Sequence, residues 1–441
     1  MKFFDKNLLI ESKAGKKVYD AVKDMPIIDY HCHLSPEAIH SNAPLGDIGE
    51  LWLAADHYKW RAMRICGVDE EYITGNKTFK EKFLKYAEIL PLLAGGPLYY
   101  WSHMELKAIF GVDRPLNKDT AEEIYEQANA VLKNLRVWDM FQKFGVEYVA
   151  TTDDPVDELA FHGNYAGTTV RPTFRPDKVY ACSDEYLSLL GKAAGVEIQT
   201  LDDLLSALSL RLDHFQSKGC KISDHGFERF PGRYATKAEA SELFARKNTL
   251  TSDEKDALFG FLLVWLTKEY HRRGMLMQLH FAVIRNVNPA GFKNIGVDSG
   301  FDLIGGAQPV QGLVDFFAQV PDDERPETVI YTLNDENLTS LVAVTGAFRH
   351  VRAGAAWWFN DTVEGIKRNL KVVAEYSAIG TNFGMLTDSR SFASYVRFDF
   401  FRRILSSYLG GFVDRGEYTL SEAITLAKRV CYNNIKEVIE R

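Results

Sequence analysis

Residues 26–33 read PIIDYHCH, an apolar, β-prone run that ends in two histidines one residue apart. In a strand, residues i and i+2 share a face, so His31 and His33 are expected to aim two imidazoles into one space. A strand with polar chemistry at its end is the repeating unit of a barrel whose site lies where its strands finish. Seven further runs have this form: VEYVATTDD (146–154), VRPTFRPDK (170–178), CKISDHG (220–226), MLMQLHF (275–281), TVIYTLN (328–334), VRAGAAWWF (351–359) and NFGMLTDSR (382–390). Stretches such as ETVIYTL are apolar on both faces, as strands of a parallel sheet covered by helices must be. Count and spacing together predict an α/β fold, a (β/α)8 TIM-type barrel.

The gaps between runs are uneven. Roughly 110 residues separate the first run from the second, far more than one crossover needs, and they contain the helical patterns KTFKEKFLKYAEILPLL and TAEEIYEQANAVLKNL. The expectation is one barrel unit over residues 1–441 with a mostly helical insertion lobe, residues 34–145, between the first and second barrel strands. A second long gap, from about 227 to 274, also reads as helical.

Composition narrows the function classes. Of the 441 residues, 46% are hydrophobic and 25% charged, which excludes disordered, collagen-like and coiled-coil chains. The net charge of −8 is spread without a basic block, arguing against nucleic acid and anionic membrane as partners while leaving room for a local arginine pocket. No GxGxxG turn follows the first strand and no GxxxxGK[ST] loop occurs, so a doubly wound nucleotide-binding sheet loses its usual signals. Gly95-Gly96 reads as a turn. The cysteines, five and widely scattered, suggest neither a disulfide framework nor a zinc ribbon. The longest apolar stretch, FGFLLVWL from Phe259, is far short of the ~18 residues of a membrane span. The expected address is the cytoplasm, and a homo-oligomer is left open.

With 11 histidines in 441 residues, about 0.3 pairs at this spacing arise by chance, so the pair gains its meaning from its place at a strand end. Other strand ends add Asp224 and His225 in SDHG, His280 in MQLHF and Asp388 in MLTDSR. Imidazoles and a carboxylate converging from separate strands make a site for one transition metal with open coordination positions.

The chain here resembles the amidohydrolase superfamily, and within it the uronate isomerase branch. The carriers are DYHCHLSP, DHYKWRAMR, PTFRPDK, SDHG, MQLHFAVIRN, AWWFND and GMLTDSRSF, in order and spread over nearly the whole chain. Two features separate the sequence from a hydrolytic member: Asp224 stands where a bridging Lys is expected, and Asn334 of YTLNDEN where hydrolases place a His. One segment departs from the isomerase pattern, because YVRFDFFRR around Arg397 lacks the His and Glu of a TRHEYFRR-like stretch.

The resemblance implies interconversion of D-glucuronate with D-fructuronate, and of D-galacturonate with D-tagaturonate, with a proton moved between C2 and C1 through an enediol. It implies one divalent metal, Zn2+, on His31, His33 and Asp388, with His280 near or on the ion. Asp388 doubles as proton carrier, His57 and Tyr58 from the inserted lobe assist at the carbonyl end, and Arg390 meets the developing oxyanion. Arg175 and Arg285 hold the carboxylate of the small-molecule hexuronate, since the arginine fork suits it. Asp224 and Trp357 complete the substrate contacts. The rivals are a metal-dependent hydrolase or decarboxylase on the same barrel, and a non-catalytic uronate-binding protein.

Overall fold

The apolar runs pair in parallel, one beside the next. The computed structural model describes residues 3–307 and 310–441. In it β1 (Ile27–Asp29) lies along β2 (Val146–Ala150), and β2 pairs with the second arm of a short hairpin made by β3 (Gly163–Tyr165) and β4 (Thr168–Arg171). The run VRPTF, read as a single strand, is in fact two. Pro172 has no N–H to give a ladder, and beyond it β5 (Thr173–Phe174) belongs to the next sheet. That sheet continues through β6 (Ile222–Phe227) and β7 (Leu276–Phe281). A small antiparallel pair follows, β8 (Val283–Ile284) with β9 (Leu303–Ile304), and then β10 (Thr328–Thr332) and β11 (Val351–Ala353) complete the parallel series. The two sheets are stitched by Asp153 N–H to Thr173 O (3.1 Å) and Arg175 N–H to Asp153 O (3.0 Å).

The eighth run closes the ring without strand geometry. Asn382 Nδ2 donates to Ala353 O (3.0 Å) on one side, while Asp388 N–H donates to His31 O (3.1 Å) and His33 N–H to Ser389 O (2.9 Å) on the other. Gly384 and Asp388 sit in the left-handed region, at φ 68° and 46°, which breaks a regular ladder. Gly384 is required there, because an added Cβ would lie 2.4 Å from Val430 O. The result is a (β/α)8-type barrel whose eighth stave is an irregular strap.

Period-2 alternation sorts side chains between barrel and shell. Ile222, Leu276, Val329 and Tyr331 share an inner cluster, whereas Met277, Leu279 and Ile330 pack outward among the helices. On that register Asp224 and His280 face inward, and His225 turns away to meet Tyr180 OH at 2.8 Å. Tyr331 OH donates to Gln278 Oε1 (3.0 Å) and Gln278 Nε2 to Tyr30 O (3.2 Å), a polar layer beneath the strand ends. Gly354 makes room for Tyr331: an ideal Cβ would meet the ring at 2.2 Å. Gly354→Ala is therefore expected to lower stability by about 1–3 kcal/mol, the range for overpacking a core, read as a fall in Tm. An unchanged Tm would show that the ring shifts freely.

Seven α-helices lie between β1 and β2, from Pro36–His40 to Val137–Phe144, around buried Trp52 and Trp101. One of them, His57–Ile65, starts where Asp56 accepts from Tyr58 N–H (3.0 Å) and Lys59 N–H (3.2 Å) and pairs with Lys59 Nζ (2.6 Å). This N-cap sets where His57 enters the barrel mouth, with Tyr58 beside it. The gap after β6 holds helices Lys237–Ala245 and Ser252–Arg272, the latter containing FGFLLVWL. Among the described residues no helix is long and apolar enough to cross a membrane, and all five cysteines are free.

Candidate active site

A cavity of about 450 Å³ opens where the strands finish, lined by His31, His33, His57, Arg175, His280, Arg285, Trp357, Asp388 and Arg390 among others. This lies within the ~300–1,000 Å³ of small-molecule sites. Asp388 is one of these lining residues. Its Oδ1 is 3.2 Å from His31 Nε2 and 3.0 Å from His33 Nε2, and its Oδ2 accepts from Trp357 Nε1 at 3.0 Å. Burial alone would raise this carboxyl, but the hydrogen bonds and charge of His31 and His33 hold it well below the usual carboxylate range.

The two histidines share this space although the strand itself ends at Asp29. The alternation slips after Tyr30, which faces the inner cluster, so His31 and His33 reach the cavity while Cys32 packs outward. Asp29 anchors the slip by accepting from Thr387 N–H (2.9 Å) and Thr387 Oγ1 (2.6 Å). It thereby ties the residues before His31 to the residue before Asp388.

The donors suit a divalent ion. One ligand atom from each of His31, His33 and Asp388 lies within 4.8 Å of the others. Tetrahedral Zn–N bonds of 2.0–2.1 Å place neighbouring ligand atoms about 3.4 Å apart, close to the two His–Asp distances. His280 stands beside this cluster. Its Nδ1 is held by Asp224 Oδ1 at 2.7 Å, its ring stacks on Tyr331 at 4.2 Å, and its buried Nε2 has no hydrogen-bond partner. Burial lowers the His280 pKa despite Asp224, so the neutral ring presents a free Nε2 in the manner of a carboxylate-oriented histidine.

Asp224 is fully buried, and Arg175, His280 and His31 together outweigh burial and keep it ionised. Arg175 Nη1 is 3.0 Å from Asp224 Oδ2, and its Nε donates to Asp177 at 2.8 Å. The glycine of SDHG has a steric role, because a Cβ on Gly226 would lie 2.3 Å from Arg175 Nη2. Arg390 Nη1 donates to His57 Nδ1 at 2.9 Å. Arginine has no acceptor, so neutral His57 carries its proton on Nε2, and burial together with Arg390 lowers its pKa.

Tyr58 stacks on His57 at 4.9 Å. It lines an adjoining apolar cavity with Trp358 and Phe359, not the polar cavity itself. Its buried hydroxyl has no hydrogen-bond partner, and burial and then Asp388 raise its pKa well above the usual phenol value. Trp357 both lines the cavity and fixes Asp388. Asn334 caps a turn instead of facing the site, donating to Gly305 O (2.7 Å) and accepting from Glu336 N–H (2.8 Å). Arg397 is buried against Trp101 at 4.0 Å and donates to Thr387 O at 2.6 Å, behind Asp388.

Sequence reasoning passes over Asp298 and Asp302, which belong to the loop closed by β8 and β9. Asp302 Oδ2 is 2.9 Å from Arg285 Nη1, and Asp298 Oδ2 is 2.9 Å from Arg390 Nη2. Neither sits in a motif. No sequence pattern marks them; in the folded loop Asn286 and Asp298 both have left-handed backbone, at φ 55°, a conformation that Asn and Asp tolerate.

The sequence model of the family described as glucuronate isomerase matches residues 1–439. The chain is 38% identical to a uronate isomerase of Clostridium perfringens over 100% of both chains, and 39% identical to that of Histophilus somni over 99% of both. Its fold is similar to the crystal structure of a uronate isomerase from Thermotoga maritima, with a TM-score of 0.96 at 34% identity over 100% of both chains.

Proposed function

Because the chain belongs to the glucuronate isomerase family, its activity is that of a uronate isomerase, and we propose that the residues around Asp388 divide the work as follows. The substrates are D-glucuronate and D-galacturonate, and the products D-fructuronate and D-tagaturonate. His31, His33 and Asp388 would hold one divalent ion, Zn2+, which would supply Lewis-acid polarisation of the substrate oxygens.

Asp388 carries the proton. Its ionised carboxylate is the base that removes a proton as C2 becomes sp², and it returns a proton to C1. Trp357 holds its Oδ2, so the carboxylate cannot rotate away. Arg390 faces the oxyanion of the enediolate, and neutral His57, with its proton on Nε2, donates at the carbonyl end with Tyr58 packed behind it. His280, oriented by Asp224, accepts from a sugar hydroxyl. Arg285 and Arg175 orient the carboxylate. We read the chain as one barrel unit over 1–441 in which residues 34–145 cover the barrel mouth, and place it in the cytoplasm as an enzyme of hexuronate catabolism.

The single observation carrying this reading is Asp388 Oδ1 between two imidazoles at the mouth of a barrel that also presents three arginines. Incubating the zinc-loaded protein with each hexuronate and following ketose formation tests it. Release of carbon dioxide, or binding without turnover, would support the rival classes instead. The Arg285 side chain is 37% exposed, so Arg285→Met is expected to cost roughly 10- to 100-fold in kcat/KM, around and below the lower end of the range for losing one partner of a buried charge pair. Arg175→Met additionally strands buried Asp224, at about 3–5 kcal/mol of stability.

A further inference from the structure

The cations lining the cavity already have carboxylate partners. Arg175 pairs with Asp177 and Asp224, Lys178 with Asp154 at 3.0 Å, Arg285 with Asp302, and Arg390 with Asp298. An anionic substrate therefore gains a guanidinium by taking over from one of these groups, and they are not equally replaceable. Asp224 is fully buried and holds His280. Asp302, with a 5% exposed side chain, also accepts from Asn286 N–H at 2.8 Å and so fixes the base of its loop. Asp298 differs from both. Its side chain is 49% exposed, and its two oxygens reach two arginines, Oδ2 at 2.9 Å from Arg390 and Oδ1 at 4.0 Å from Arg285.

One carboxylate spanning two guanidiniums is itself an image of a bound sugar acid. We infer that Asp298 stands in for the substrate's negative charge in the ligand-free protein, and that binding swings its side chain out to solvent. Asp298 is thus an internal competitor that sets affinity. This inference rests on the reading that Arg285 and Arg390 meet the carboxylate and the oxyanion.

The loop can release the side chain without moving its backbone. Arg64 Nη1 donates to Ser299 O, Arg61 Nη1 donates to Asp302 O at 3.3 Å, and a Cβ on Gly300 would lie 2.9 Å from His57 O. The segment after Asp298 is thereby docked on helix His57–Ile65. Asp298 has a left-handed φ of 55°, and asparagine tolerates that conformation equally well.

The test uses Asp298→Asn and Arg285→Met, with two readouts: KM for D-glucuronate, and the inhibition constant of D-gluconate, an unreactive six-carbon sugar acid. Asp298→Asn is expected to lower both constants by about three- to tenfold, the scale of two partly exposed ion pairs. Arg285→Met is expected to raise both. If Asp298→Asn leaves both constants unchanged or raises them while Arg285→Met raises them, internal competition is overturned and the clamp stands. If Arg285→Met leaves them unchanged, the clamp itself is wrong, and the inference falls with it.

Discussion

Asp388→Asn is expected to retain bound metal and lose about 100-fold or more in kcat, the lower range for a general acid-base group. The amide still offers an oxygen to the ion but cannot accept a proton. It also meets a hydrogen-bond conflict. With its oxygen toward His31 and His33, its NH2 faces the Trp357 N–H that now donates to Oδ2 at 3.0 Å, two donors opposed. With the amide flipped, the NH2 faces the histidines. A merely structural aspartate at this position would cost about 1 kcal/mol as a helix cap, but the next α-helix begins only at Val396, so no such role exists. Near-normal kcat with full metal occupancy would remove Asp388 from the chemistry.

The double substitution His31→Asn, His33→Asn is expected to abolish stoichiometric metal, and turnover with it, in a protein that still folds. Both imidazoles point at one carboxylate oxygen, so their loss removes two of the three converging donors. The barrel is held elsewhere, by the strand ladders, the polar layer of Tyr30, Gln278 and Tyr331, and the tie from Asp29 to Thr387. Ligands at strand ends seldom carry the stability of such a barrel. Elemental analysis beside a thermal melt reads both quantities. Full metal content in the double variant would place the ion on other residues.

The parts of this arrangement that repeat with period 2 were legible in the sequence. His280 and Asp224 follow from the inward register of MQLHF and SDHG, and His225 is turned away by the same alternation. Pro172 was a visible signal that VRPTF could not be one ladder-forming strand. The eighth run was less legible, because Gly384 and Asp388 adopt left-handed backbone that no apolar pattern announces, so it closes the barrel through side chains and isolated hydrogen bonds. The site was legible as a set of residue types but not as a set of partners. Trp357 reads from the sequence as a substrate contact, and only the folded chain brings its N–H to Asp388. Asp298 and Asp302 lie in a loop without periodicity, and their meaning comes entirely from the arginines that tertiary structure places beside them.

The central claim is that a carboxylate moves a proton between C2 and C1 through an enediol. Turnover of D-glucuronate deuterated at C2 tests it most directly, with the label followed by NMR in the ketose and in water. Proton transfer through Asp388 predicts a slowed kcat and deuterium divided between C1 of D-fructuronate and the solvent, because exchange of the protonated carboxyl with water competes with return of its proton. Complete retention of deuterium at C1 in every turnover is the outcome of a direct hydride shift and would contradict the account.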